Sequence, residues 1–235
     1  GDDVDEAVLN YAEVKALAVG NPLIKERVEL INELDKYKLL YRDYIESCEK
    51  KERRLKNLPQ IIETQERLIK ETEQDIEFYK QNGNDYEEMD YEDQKAIRDT
   101  IYLSVVNHVA KRQEKKILNY QGFDVVAPIG MQPKLDLSEN AETGEKDKVY
   151  YVYIRRNGSY QMEIKSVSGI TKRLNNLLED LPKAKIRREE VLETLLNKKS
   201  ALEAELAKEG ESYATQIAAL ALELEKIDKQ LGVAA

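Results

Sequence analysis

Residues 30–79 decide the predicted fold, and they read LINELDKYKLLYRDYIESCEKKERRLKNLPQIIETQERLIKETEQDIEFY. Apolar residues recur in this stretch at alternating steps of four and three, beginning with Leu30, Leu34, Tyr37 and Tyr41. A period of 3.5 residues gives a narrow stripe that stays on one side of a helix only when the helix supercoils with a partner. We therefore predict one helical arm over residues 23–80, about 85 Å long at roughly 1.5 Å per residue. Pro59 is expected to kink this arm or to split it in two.

A second arm with the same spacing is predicted over residues 171–235. Its stripe begins with Leu174, Leu178, Leu181, Lys185, Arg188, Leu192 and Leu195. Pro182 indicates a kink or a helix start, Gly210 a helix stop, and Ser212 the cap of the next helix. Neither arm can bury its stripe alone, so we expect the two to pack as an antiparallel coiled-coil hairpin. The alternative is a homodimer in which each arm pairs with its copy. The hairpin is favoured because the ends of the middle segment would then meet.

Residues 81–170 differ in kind and predict an inserted α+β head. A helical pattern covers residues 96–117, a strand covers 122–129 and ends at Pro128, and the polar residues 132–148 are predicted to form a loop. Two β-rich runs flank Asn157-Gly158, which predicts a hairpin with a two-residue turn of positive φ. The predicted fold class is mainly α with a small α+β insert: a long antiparallel coiled-coil hairpin that carries a small β-containing head.

Composition excludes several classes of protein. The chain has 37 Lys and Arg against 46 Asp and Glu, a net charge of −9, which argues against a general coating of nucleic acid. Cys48 is the only cysteine and His108 the only histidine, so a disulfide framework, a cysteine-based zinc site and a multi-histidine metal site are excluded. No apolar run approaches the roughly 20 residues that cross a bilayer, and no signal segment opens the sequence. We expect a cytoplasmic protein without membrane contact.

The sequence predicts no catalytic residue, no bound cofactor and no metal ligand. It contains neither a phosphate-cradling GxxxxGK[ST] loop nor an HExxH motif, and no GxGxxG follows a strand. His108 falls on the predicted helix at 96–117, and we interpret it as a surface or half-buried histidine rather than a general base. Cys48 falls on the heptad seam and is interpreted as a packed thiol. We therefore expect that the chain is not an enzyme in its own right.

Basic residues beside strand tyrosines form the candidate binding site, because charged side chains hold phosphates and aromatic rings stack on bases. Arg155 and Arg156 precede the predicted turn, where one of them would lie beside tyrosines that share a strand face. The candidate nucleic-acid-binding residues are Arg155, Arg156, Tyr151, Tyr153, Lys111, Arg112, Lys115 and Lys116. Further basic runs are Lys50–Lys56, and Lys183, Lys185, Arg187 and Arg188 after Pro182. The alternative is that such runs are solvated faces with weak ion pairs.

Three stretches carry a resemblance to a known family. Residues 11–26, YAEVKALAVGNPLIKE, resemble the segment that follows the motor in SNF2-like helicases that carry an N6-adenine DNA methylase portion, which are large proteins of bacterial mobile elements. Residues 120–123, YQGF, are similar to part of that family's inserted β segment, and residues 224–233, LEKIDKQLGV, to its closing helix. The polar residues 132–148 depart from the pattern. The nucleotide motifs of the motor and the Asn-Pro-Pro-aromatic motif of the methylase do not occur in this sequence.

The resemblance implies a non-catalytic C-terminal accessory region of a DNA-acting ATPase. Residues 1–22 would then follow the motor, which would be a partner in the same polypeptide, and DNA would be the eventual substrate in a bacterial cytoplasm. In this interpretation the coiled coil carries the head toward DNA or the motor. The alternative function is a structural or dimerising coiled-coil module that does not touch DNA. Salt-sensitive DNA binding would separate the two.

Overall fold

The computed structural model describes residues 20–83, 89–139, 146–208 and 211–232. These residues are mainly helical and include a small antiparallel sheet. The helices are α1 (Pro22–Asn82), α2 (Tyr91–Val106), α3 (Ile170–Glu179), α4 (Leu181–Ala207) and α5 (Glu211–Leu231). The strands are β1 (Lys115–Tyr120), β2 (Phe123–Ala127), β3 (Lys134–Glu139), β4 (Lys146–Arg155) and β5 (Ser159–Ile164). The chain divides into two compact units: unit 1 contains Gly1–Pro59 and Leu196–Ala235, and unit 2 contains Gln60–Leu195.

The predicted first arm is one helix, α1, and it continues through Pro59. Of the two expected effects of Pro59, the split of the arm is therefore wrong, and the kink stays a prediction. A proline inside a helix removes one backbone hydrogen bond and crowds the preceding turn. Leu58 and Ile62 lie on either side of Pro59, and only 2% and 7% of their surfaces are exposed to solvent. Burial of these two side chains offsets the lost backbone bond and keeps the segment helical.

In unit 1 the first part of α1 packs against α5 and the end of α4. The apolar core of this unit consists of Leu30, Leu34, Leu220 and Ile227. Arg27 Nε donates a hydrogen bond to Asp228 Oδ1 at 2.8 Å, and Lys51 Nζ lies 3.1 Å from Glu205 Oε2. A residue near the start of α1 thus contacts α5, close to the end of the chain. A residue further along α1 contacts α4, which precedes α5 in the chain. The packed segments of unit 1 are antiparallel.

Two predicted helix boundaries have different outcomes. Helix α4 begins at Leu181 with Pro182 in its first turn, which confirms Pro182 as a marker of a helix start. Helix α5 begins at Glu211, so Ser212 is already helical and the prediction that it caps this helix is wrong. The predicted stop at Gly210 lies outside the described residues.

Helix α2 occupies Tyr91–Val106 rather than residues 96–117. It starts earlier because Glu92 and Asp93 lie in its first turn, where negative charge interacts favourably with the helix dipole. It stops earlier because the chain turns after Val106, and Ala110 takes a positive φ of 59°. His108 consequently lies in a turn beyond the helix rather than on it.

Unit 2 contains the sheet, with the strand order β1-β2-β4-β3 and β5 paired to the other side of β4. All of these pairings are antiparallel. Strand β2 and the β4–β5 hairpin confirm the strands predicted before Pro128 and around Asn157-Gly158. The predicted loop at 132–148 is wrong, because β3 lies within it and pairs with the first half of β4. Leu135 lies between the polar residues Lys134 and Asp136, and this alternation is typical of a strand. The polar composition of residues 132–148 as a whole obscures it.

One face of the sheet forms the core of unit 2. Its fully buried side chains include Phe123, Val125, Val152, Ile154 and Ile164. They pack with Ile101 and Val105 of α2 and with Leu174 and Leu178 of α3, while Ile76 and Phe78 of α1 pack at the margin. The opposite face of the sheet is exposed along β5, at Ser159, Gln161 and Glu163, whereas Val126 of β2 on that face is buried.

Candidate nucleic-acid interface

A buried carboxylate of α1 holds the turn between β4 and β5. Asp75 is 0% exposed. Its Oδ1 accepts hydrogen bonds from the backbone N and the side-chain Nδ2 of Asn157, at 2.9 and 3.0 Å. Its Oδ2 accepts from the backbone N of Gly158 at 2.7 Å and from the hydroxyl of Tyr160 at 2.6 Å. Four donors therefore satisfy this buried charge and fix the hairpin tip against α1.

The turn itself differs from the predicted two-residue type. Arg155 pairs with Ser159, so the turn contains the three residues between them. Neither Asn157 nor Gly158 has a positive φ. The carboxylate of Asp75 replaces the positive-φ geometry as the device that closes the turn. Gly158 is still required, because a Cβ there would lie 2.5 Å from the Tyr160 hydroxyl.

Tyr160 and Arg188 extend this network toward α4. The Arg188 guanidinium lies 4.9 Å from the centre of the Tyr160 ring, and its Nη1 donates to Thr72 Oγ1 at 2.6 Å. Its Nη2 donates to the backbone oxygen of Ser159 at 2.8 Å. Burial, and then the hydrogen bond to Asp75, raise the pKa of Tyr160 above its ordinary value. The Tyr160 hydroxyl therefore remains a donor to the carboxylate.

Arg155 is the last residue of β4 and Arg156 the first residue of the turn, and their side chains have different surroundings. The Arg156 guanidinium stacks 3.2 Å from the centre of the Phe78 ring, and its Nη1 donates to the backbone oxygen of Gly122 at 3.0 Å. Arg155 lies over the Tyr153 ring at 5.6 Å and forms an ion pair with Glu114 at 2.8 Å. Of this pair, only Arg155 is placed beside the strand tyrosines.

The face of the sheet opposite the core carries the tyrosines. The register places Lys116, Val126, Tyr153 and Gln161 in one row across β1, β2, β4 and β5. The next row consists of Asn119, Asp124, Arg155 and Ser159. Tyr151 follows Tyr153 along β4, with the two ring centres 6.1 Å apart and the rings nearly perpendicular. We call the surface formed by Tyr151, Tyr153, Arg155, Ser159 and Gln161 the tyrosine face.

The second predicted cluster lies on a loop and on β1 rather than on a helix. Lys116 forms an ion pair with Asp124 at 3.0 Å. The hydrogen bond from Asn119, and then the ammonium of Lys116, hold the pKa of Asp124 below its ordinary value. Within the described ranges of the chain, the exposed side chains of Lys111, Arg112 and Lys115 form no ion pair.

His108 and Cys48, the histidine and the cysteine of the sequence, are both at least partly buried. His108 is buried, and its Nε2 lies 2.6 Å from the backbone oxygen of Gln113. Cys48 is half-buried with a free thiol. Among the residues that the structure describes, no group of three or more His, Cys, Asp or Glu side chains could hold a metal ion. The described helices include none that is long and apolar enough to cross a membrane.

A groove between β5 and α4 was not predicted. It has a volume of about 530 Å³ and is bordered by Tyr153, Ser159 and Gln161 on the sheet side. The helix side is formed by Leu177, Asp180 and Leu181 and by four further residues of α4, which are Ala184, Arg187, Arg188 and Val191. These four residues follow the i, i+3, i+4, i+7 spacing of one helix face, which is the only local signal for the groove. Because Tyr153 borders both surfaces, the groove continues directly from the tyrosine face.

Comparison of the chain with protein-family models, with curated proteins and with solved structures finds no match. The residues that the fold of unit 2 brings together are Arg155, Tyr151 and Tyr153, with Arg187 and Arg188 beside them.

Proposed function

We propose that the chain is a non-catalytic accessory module of a DNA helicase of the SNF2-like, methylase-bearing class, and that its tyrosine face contacts DNA. The observation that carries the proposal is the position of Arg155 over Tyr153 on the face of the sheet opposite the core. A guanidinium that can reach a phosphate then lies beside a ring that can stack on a base. The upstream motor would be the partner in the same polypeptide.

We also propose that the two heptad arms form an antiparallel coiled coil that positions this face. Antiparallel contacts within each unit support the idea. In unit 1, Arg27 meets Asp228. In unit 2, Gln65 Nε2 donates to the backbone oxygen of Arg188 at 2.9 Å, and the Tyr79 hydroxyl donates to Glu179 at 2.8 Å.

The surrounding charges set the expected strength of DNA contact. Glu114 is paired with Arg155 and Asp124 with Lys116, so DNA phosphates must compete with two carboxylates. The net charge of −9 adds a general repulsion of polyanions. Binding by the tyrosine face is therefore expected to be weak and to fall steeply as salt rises, because phosphate contacts release counterions.

The different surroundings of the two arginines provide the test. We expect Arg155→Gln to weaken binding of a labelled oligonucleotide about tenfold at low salt, the usual size of one charge-assisted contact. Arg156→Gln should change the affinity less than about twofold, because Arg156 contacts Phe78 and Gly122 rather than the strand tyrosines. Fluorescence anisotropy measures both affinities, and amide exchange of β5 checks that the hairpin is intact. Equal losses from the two substitutions would contradict the proposal.

One observation favours the alternative function, a structural or dimerising coiled-coil module. Unit 1 has a groove of about 510 Å³ that Lys38, Arg42 and Glu46 line together with apolar side chains. The apolar side chains are those of Tyr41, Ile45, Ala214, Ile217, Ala218 and Ala221. Exposed apolar surface of this kind is typical of sites that contact another protein. The alternative expects no DNA binding at any salt concentration, so the same anisotropy experiment distinguishes the two functions.

A further inference from the structure

We infer that the polynucleotide is single-stranded and that its backbone passes from the tyrosine face into the groove between β5 and α4, where Arg187 contacts a phosphate. This inference rests on the proposed function and specifies its ligand and path. Tyr153 borders the groove on the sheet side and Arg187 on the helix side. A base placed against the Tyr153 ring therefore directs its own phosphate toward α4.

Among the basic residues at positions 183–188 of α4, Arg187 is the one whose side chain is available to bind an anion. The guanidinium of Arg188 donates hydrogen bonds to Thr72 and to the backbone oxygen of Ser159. Lys183 pairs with Asp180, and Lys185 with Glu73 and Glu189. The exposed side chain of Arg187 has no ion pair or hydrogen bond with any described residue. A phosphate in the groove would provide the partner that Arg187 lacks among the described residues.

The free edge of β5 argues against an extended peptide as the occupant. Edge strands bind peptides by offering backbone groups to an added strand. Here the backbone oxygen of Ser159 accepts from Arg188, and that of Glu163 accepts from Arg173 at 3.2 Å. Side chains thus cover both ends of the edge, a common way to block strand addition. A polynucleotide backbone needs no such pairing.

The tyrosines favour a single strand over a duplex. Bases in a duplex are stacked on one another, so their faces cannot reach a protein ring. Unstacked bases of a single strand can lie against Tyr151 and Tyr153, and such contacts tolerate any base sequence. The ligand class is therefore single-stranded nucleic acid with little sequence preference.

The experiment measures the salt dependence of binding by the full chain to a labelled oligo-dT of about 16 nucleotides, beside a duplex of equal length. Each phosphate contact with a single strand contributes about 0.7 to the slope of log affinity against log salt. We expect Arg187→Gln to weaken binding and to reduce the slope by about 0.7. Tyr153→Leu should weaken binding without changing the slope. The matched control is Arg67→Gln, an exposed α1 arginine paired with Glu71, which should leave the slope unchanged.

The outcomes separate the inference from the proposed function. If Arg187→Gln keeps the parent slope while Tyr153→Leu loses affinity, the path through the groove is overturned and the tyrosine face stands. Tighter binding of the duplex than of oligo-dT overturns the single-stranded ligand. If the parent chain binds neither probe at low salt, the proposed function fails, and this inference fails with it.

Discussion

Asp75→Ala is expected to destabilise unit 2 by about 3–5 kcal/mol, the largest effect of any single substitution proposed for this chain. The change removes the acceptor of four hydrogen bonds and leaves buried donors of Gly158 and Tyr160 without a partner. Each unsatisfied buried donor costs about 1–3 kcal/mol. Amide hydrogen exchange of β5 measures the loss directly, because those amides report the opening of the hairpin.

Glu73→Ala is the matched control for this prediction. Glu73 lies two residues before Asp75 on α1, but its carboxylate is exposed and pairs with Lys185 at the surface. Its removal should change the exchange of β5 very little. Exchange rates in Asp75→Ala as slow as those of Glu73→Ala would show that the carboxylate does not hold the turn.

Gly122→Ala is expected to destabilise unit 2 by about 2–4 kcal/mol. Gly122 has a φ of +90°, and a Cβ at this position would lie 2.4 Å from the Phe78 ring. The backbone strain costs about 1–2 kcal/mol, and forcing the ring aside adds about 1–3 kcal/mol. Displacing Phe78 also removes the surface on which Arg156 stacks. Thermal and denaturant unfolding measure the loss.

Gly130→Ala isolates the contribution of the ring. Gly130 also has a positive φ, of +65°, but nothing lies within 4 Å of a Cβ built there. This control therefore bears the backbone strain alone, about 1–2 kcal/mol. If the two alanine variants lose the same stability, the close packing of Phe78 on Gly122 contributes nothing.

Local patterns were sufficient for several elements of this fold. The four-three spacing from Leu30 to Tyr79 predicted the long helix α1, because the spacing of apolar residues within a short stretch is enough to indicate a helix. Pro128 marked the end of β2, and the β-rich runs around Asn157-Gly158 predicted the β4–β5 hairpin. The same alternation that puts successive side chains on opposite faces predicted that only one of Arg155 and Arg156 lies beside the strand tyrosines.

The rest depends on contacts between distant residues. Asp75 falls among the charged residues of a heptad helix, and its partners lie 82–85 positions further along the chain. Nothing local distinguishes it from the solvated Glu73. The ion pairs of Arg155 with Glu114 and of Lys116 with Asp124, which reduce the free positive charge, follow from strand pairing. The groove beside Arg187 likewise requires β5 and α4 to lie side by side.

Mapping the bound surface by nuclear magnetic resonance tests whether single-stranded nucleic acid lies on the tyrosine face. The measurement follows backbone amide resonances of the isotope-labelled chain during titration with unlabelled oligo-dT at low salt. We expect shifts concentrated at Tyr151, Tyr153, Arg155 and Gln161, with a further group around Arg187. Shifts absent from these residues and confined to the helices of unit 1 would contradict it.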